Sequence, residues 1–172
     1  MSKVLRTATL AATVAALTLS ATPALAVGPN QNATGTARIF RPLQLQFVQN
    51  LDLGKIVLSG AAPFSATVQL SSGNVLTCPA AVTCSGATTV AQYRVIGTNN
   101  QNVTVSAPNV TLSDGSGNNL TLTTAGYYSP TVALGASGNA GVVFSIGGAI
   151  TVANTTPDGV YTGTFNVTAD YQ

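Results

Sequence analysis

The chain has no histidine, no glutamate and no tryptophan, and few charges of either sign. Each absence closes a class of chemistry. Without histidine, no Ser-His or Cys-His pair can activate a nucleophile, and most metal sites lose a usual ligand. The carboxylates are Asp52, Asp114, Asp158 and Asp170, far apart in sequence and at strand or turn positions. Nothing local sets up the paired acid and base of a glycosidase. Beyond Lys3 the sole lysine is Lys55, so a Ser-Lys dyad would need it. Gly115-Ser116-Gly117 lacks the G-x-S-x-G frame of a nucleophile elbow, and no glycine-rich phosphate loop opens a helix. With no tryptophan and 5 tyrosines, an aromatic sugar platform is not evident. No catalytic, cofactor-binding or metal-binding residue is assigned, no cofactor is expected, and the chain reads as non-enzymatic.

Charged residues make up 6% of the chain, where about 25% is usual. Thr, Ser, Asn, Gln and Gly must then cover the surface, and a surface with little repulsion tends to associate. Lys3 and Arg6 precede an apolar run from about Ala8 to Leu19, and Ala24 and Ala26 are the small residues of a cleavage site. This pattern predicts a signal peptide over residues 1–26, with residues 27–172 as one exported domain. The apolar run is too short for a bilayer-spanning helix, so no membrane span is expected. Without Lys3 and Arg6, the cations Arg38, Arg41, Lys55 and Arg94 balance the four aspartates. That neutrality leaves no electrostatic footprint for nucleic acid.

Export implies an oxidising compartment, so Cys78 and Cys84, the only cysteines, are expected to pair. Closing so short a loop contributes roughly 2 kcal/mol on the chain-entropy model. It stabilises a hairpin end and cannot hold the fold together.

Residues beyond the signal read as strands, with β-branched and aromatic residues alternating with polar ones between Gly, Asn, Pro and Ser. Expected strands cover 33–40, 43–48, 51–58 with a bulge at Gly54, 66–70, 75–78, 90–96, 102–106, 110–113, 120–124, 132–134, 142–146, 149–152 and 160–171. Short strands at this spacing predict an all-β sandwich, with a closed barrel as the alternative. The run 114–119 is a hairpin loop. Asp114, Ser116 and Asn118 mimic the start of a calcium loop, but the acidic residue that should end it is missing.

The C-terminus carries the strongest pattern. Tyr161, Phe165, Val167, Ala169 and Tyr171 fall on one side of a strand, and Thr162, Thr164, Asn166, Thr168 and Asp170 on the other. Only Gly163 breaks the apolar row. Gly159, the alternation and the penultimate Tyr171 resemble the last strand of chaperone–usher pilus subunits. Residues 51–57 are similar to an early strand of spore-coat-U and fimbrial-type proteins. The chain as a whole resembles exported proteobacterial proteins of domain-of-unknown-function family number forty-four-zero-two. The resemblance rests on residues 37–43, 51–57, 144–148 and 159–163 and covers nearly all of 33–171. It implies an immunoglobulin-like, pilin-like β-sandwich. It departs from the pilus pattern at the cysteines, which close a small loop instead of tying the N-terminal strand.

What the resemblance implies for function is a secreted or cell-surface fibre subunit, exported through the periplasm. Its partners would be copies of itself or related subunits, with a periplasmic chaperone and an outer-membrane usher. Residues 27–40 of one copy would add as a strand beside the C-terminal strand of another. Ala33, Gly35, Ala37 and Ile39 would form the inserted row; Gly159, Tyr161, Phe165, Val167 and Tyr171 would form the receiving edge. The alternative is a self-complete secreted binding module or coat component whose own N-terminal strand closes its sheet.

Overall fold

The computed structural model describes residue 28 and residues 30–172. The signal-peptide reading of residues 1–26 lies outside the described residues. The chain divides into two units, Met1–Ala37 and Arg38–Gln172. In the first, the described residues are exposed and belong to no strand.

The second unit is all-β. Its strands are β1 (Gln44–Gln49), β2 (Lys55–Leu58), β3 (Ser65–Leu70), β4 (Leu76–Thr77), β5 (Val82–Ser85), β6 (Ala91–Ile96) and β7 (Asn102–Ser106). There follow β8 (Val110–Ser113), β9 (Asn119–Thr123), β10 (Thr131–Ala133), β11 (Val142–Ile146), β12 (Gly148–Ala153) and β13 (Thr168–Tyr171). One 3-10 turn spans Gly135–Ser137. No helix among the described residues is long and apolar enough to cross a membrane.

All pairings are antiparallel, in sheets ordered β1-β6-β11, β2-β5, β10-β7-β13 and β4-β3-β12-β9-β8. An Asp52–Thr89 bridge joins the first two, so residues 44–58 run along residues 82–96. Inward-facing positions meet in three apolar clusters. One gathers Val95 from β6, Val103 and Val105 from β7, and Val132 and Leu134, with Leu43, Leu45 and Tyr171 against them. Another gathers Val68, Leu112, Leu122 and Ile150, with Leu51, Ile56, Tyr161 and Phe165 against them. The third, around Ala91, Ala107 and Ile146, lies against Leu51, Phe144, Phe165 and Val167, side chains that also pack on one or the other of the first two.

Gly147 is where the chain passes from β11, paired to β6, into β12, paired to β3. A Cβ there would run into the Leu70 carbonyl oxygen. Only glycine lets the two backbones approach so closely.

Two sequence expectations need correction. Residues 33–40 form no strand and are exposed along their whole length. Their alternation is of Ala, Gly and Thr, too small to set one face apart by burial. The strand expected over residues 160–171 is also not continuous. Thr162 pairs with Ser113 and Thr168–Tyr171 pair with β7, but residues 163–167 are in no ladder. Between those anchors residues 163–167 face residues 107–112, a stretch one residue longer, and the register slips. Within the supposed cysteine loop, β5 is an added strand.

Candidate functional site

Two strand edges face one another. Residues 43–58, through β1 and β2, form one; the C-terminal segment 157–171 forms the other. Burial along the second alternates as its sequence predicts, with Tyr161, Phe165, Val167, Ala169 and Tyr171 half-buried and the residues between them exposed.

The edges meet at one end. Leu43, Leu45, Val167, Ala169 and Tyr171 pack there on the Val95–Leu134 cluster. The Tyr171 hydroxyl accepts from the Thr98 backbone N–H (2.7 Å) and donates to the Arg41 carbonyl (2.8 Å). The Arg41 N–H in turn donates to Thr98 Oγ1 at 2.8 Å, and the Phe40 ring lies 5.0 Å from that of Tyr171.

Further along they part. A groove of about 1190 Å³ opens between Asn50–Leu58 and Thr156–Phe165, with Leu112, Leu122, Ile150 and Val152 among its lining. A smaller hollow of about 200 Å³ shares Asn50, Leu51, Gly163, Thr164 and Phe165 with it and extends to Phe47 and Tyr93. Phe47 is 59% exposed and stacks edge-on against Tyr93, which stacks on Phe144. Gly163 leaves the apolar row without a side chain here. A Cβ at Gly163 would lie 2.6 Å from the Thr111 carbonyl oxygen, so no larger residue fits without moving β8.

Three charged side chains line the groove, Asp52, Lys55 and Asp158. Tyr161 donates its hydroxyl to the Pro157 carbonyl (2.9 Å). Partial desolvation, then the Asp114 and Asp158 carboxylates, push its phenol above the usual value. In the β8–β9 hairpin, Asp114 accepts from the Asn118 side-chain amide and from the backbone N–H groups of Ser116 and Asn118. The Asn118 amide chiefly holds this carboxyl below the ordinary range. Burial raises the Tyr93 phenol. Among the described residues no three His, Cys, Asp or Glu side chains gather to hold a metal.

Of the residues singled out from sequence, Cys78 and Cys84 form a disulfide with Cα atoms 6.1 Å apart, and Cys84 sits opposite Ile56 in the β2–β5 pair. Gly159 is exposed at the start of the C-terminal segment, lining the groove beside Asp114. Tyr161 and Phe165 line the groove, whereas Val167 and Tyr171 belong to the closed end. Ala33, Gly35, Ala37 and Ile39 are exposed and in no strand, Ile39 to 91%. Sequence reasoning missed the opposite wall of Leu51, Leu53 and Ile56 and the Leu112–Val152 lining. The signal available was the Leu51, Leu53 alternation, which marks an inward face and not its lack of a cover.

No curated protein and no solved structure matches the chain. A family model does match it, from residue 43, where the first edge begins, to residue 171, the clasping tyrosine at the end of the second. With both edges and the intervening core inside that match, the chain belongs to the family described as Domain of unknown function (DUF4402).

Proposed function

We propose that this protein is a non-enzymatic structural subunit of a surface fibre, an immunoglobulin-like, pilin-like sandwich assembled by β-strand addition. The observation that carries this reading is the open groove. One wall carries β2, at the free edge of its sheet, the other is the segment Thr156–Phe165, in which only Thr162 is bridged, and the lining between them is largely apolar. A spherical ligand would leave the backbone groups of that free edge unmet, whereas an extended strand satisfies them and covers the apolar lining.

The inserted segment is residues 27–40 of another copy, with Ala33, Gly35, Ala37 and Ile39 facing inward. Such a row fills little of the volume. Burying Ile39 is worth roughly 1.5–3 kcal/mol, and each added backbone hydrogen bond roughly 0.5–1.5 kcal/mol. Backbone pairing therefore dominates the affinity, and the contact is heterologous, as an open filament requires. Support over the self-complete alternative comes from residues 33–40, which are exposed and in no strand. A periplasmic chaperone and an outer-membrane usher fit the same edge as assembly partners, and a secreted or cell-surface location fits the low charge.

The test is negative-stain microscopy of the exported protein at rising concentration, beside a form lacking residues 27–38. Filaments from the first and monomers from the second are expected. Compact monomers from both, at every concentration, would overturn the reading.

A further inference from the structure

We propose that the Tyr171 hydroxyl is the positioning group that sends the N-terminal segment to a neighbouring copy and keeps it out of the chain's own groove; this rests on the strand-addition reading. Tyr171 and Thr98 hold Arg41 between them: the Tyr171 hydroxyl accepts from Thr98 N and donates to Arg41 O, while Arg41 N donates to Thr98 Oγ1. Gly97 makes room for that hydroxyl, which a Cβ at 97 would meet at 2.5 Å. The root of the segment is thereby fixed at the closed end of the two edges.

Chain length then decides where the segment can go. The groove wall starts at Asn50, about 30 Å along the strand from Arg41 at about 3.4 Å per residue. Residues 27–40 span about 48 Å when fully extended. Folded back from a fixed Arg41, they would spend most of that length alongside Leu43–Gln49, where the first part is already packed shut. Ala33–Ile39 would never reach the open stretch. A second copy imposes no such limit. One C-terminal segment thus serves two contacts, with Tyr161 and Phe165 receiving a segment at one end and Tyr171 aiming the chain's own segment at the other.

The experiment separates giving from receiving. Among the described residues no ladder or core residue precedes Leu43, so a chain starting at residue 39 keeps every paired strand described and serves as receiver. A synthetic peptide of residues 27–40 is titrated into this receiver, with and without Tyr171→Phe, following amide exchange over residues 51–58. Both receivers should bind it within about twofold. The full-length Tyr171→Phe protein, still folded by its thermal transition, should need about tenfold more protein to assemble, the effect of one lost hydrogen bond. Amides near Arg41 should exchange faster. Thr98→Val, which removes the other half of the grip, should act in the same direction. Unchanged assembly of both variants overturns the proposal. Equal loss of peptide binding by the Tyr171→Phe receiver also overturns it, by assigning the tyrosine to the fold alone. A peptide that binds neither receiver overturns the strand-addition reading itself.

Discussion

Leu43 and Leu45 on one edge and Val167, Ala169 and Tyr171 on the other pack on one buried cluster. Between Leu51–Leu58 and Tyr161–Phe165, on continuations of the same two edges, side chains stand apart around about 1190 Å³. At the closed end the C-terminal segment is bonded to β7 at Thr168–Tyr171. At the open end that segment is tied to β8 through the Thr162–Ser113 pair, and the row is interrupted at Gly163. Because a Cβ at Gly163 would strike the Thr111 carbonyl, no simple substitution closes the gap from within. At Gly163, then, backbone geometry keeps the wall without a side chain.

The sharpest way to break this comparison is one substitution made at each end. Leu134 is 1% exposed in the closed cluster; Leu112, at 8%, borders the groove. Leu134→Ala should cost about 2–5 kcal/mol by urea unfolding, and Leu112→Ala about half as much, because solvent already reaches one side of it. Equal losses would mean that the two ends are equally packed.

Next in size is the disulfide. Replacing both Cys78 and Cys84 by serine should cost about 2 kcal/mol. The effect should be local, with faster amide exchange in β2 and β5 at the open end and unchanged exchange in β13. Slower or unaltered exchange in β2 would detach the disulfide from the groove wall.

The smallest effect belongs to Asp114, beside Gly159 at the rim. Its carboxyl is held below its unfolded value, chiefly by Asn118. The stabilisation is therefore present above the unfolded carboxylate range, about 3.9, and lost as pH falls through the lower folded value. Asp114→Asn should lower Tm at neutral pH, with the two melting curves converging below about pH 3.9. A gap that persists in acid would place the effect elsewhere than in the charge.

The sequence was most legible where burial alternates strongly. Asn102–Ser106, Val110–Ser113 and Val142–Ile146 are strands with the bounds their patterns predict. There valine, leucine and isoleucine go inward at every second position, so local pattern and tertiary burial agree. Residues 33–40 misled because Ala, Gly and Thr alternate without apolar contrast. The break at 163–167 was hidden because it depends on the length of residues 107–112, a distant stretch that no local window includes. The groove was illegible for a related reason. Leu51, Leu53, Leu122 and Ile150 each look like core residues, and whether a cover exists depends on which edges fail to meet.

The pairing of β3 with β12 has a consequence for folding. Val68 lies opposite Ile150, so the largest sheet has no centre until β12 joins it. Until then β3 has only β4 beside it, and closure must wait on a search over a long loop, which is slow. The sheet's centre therefore forms by a non-local pairing, the kind of contact that slows folding.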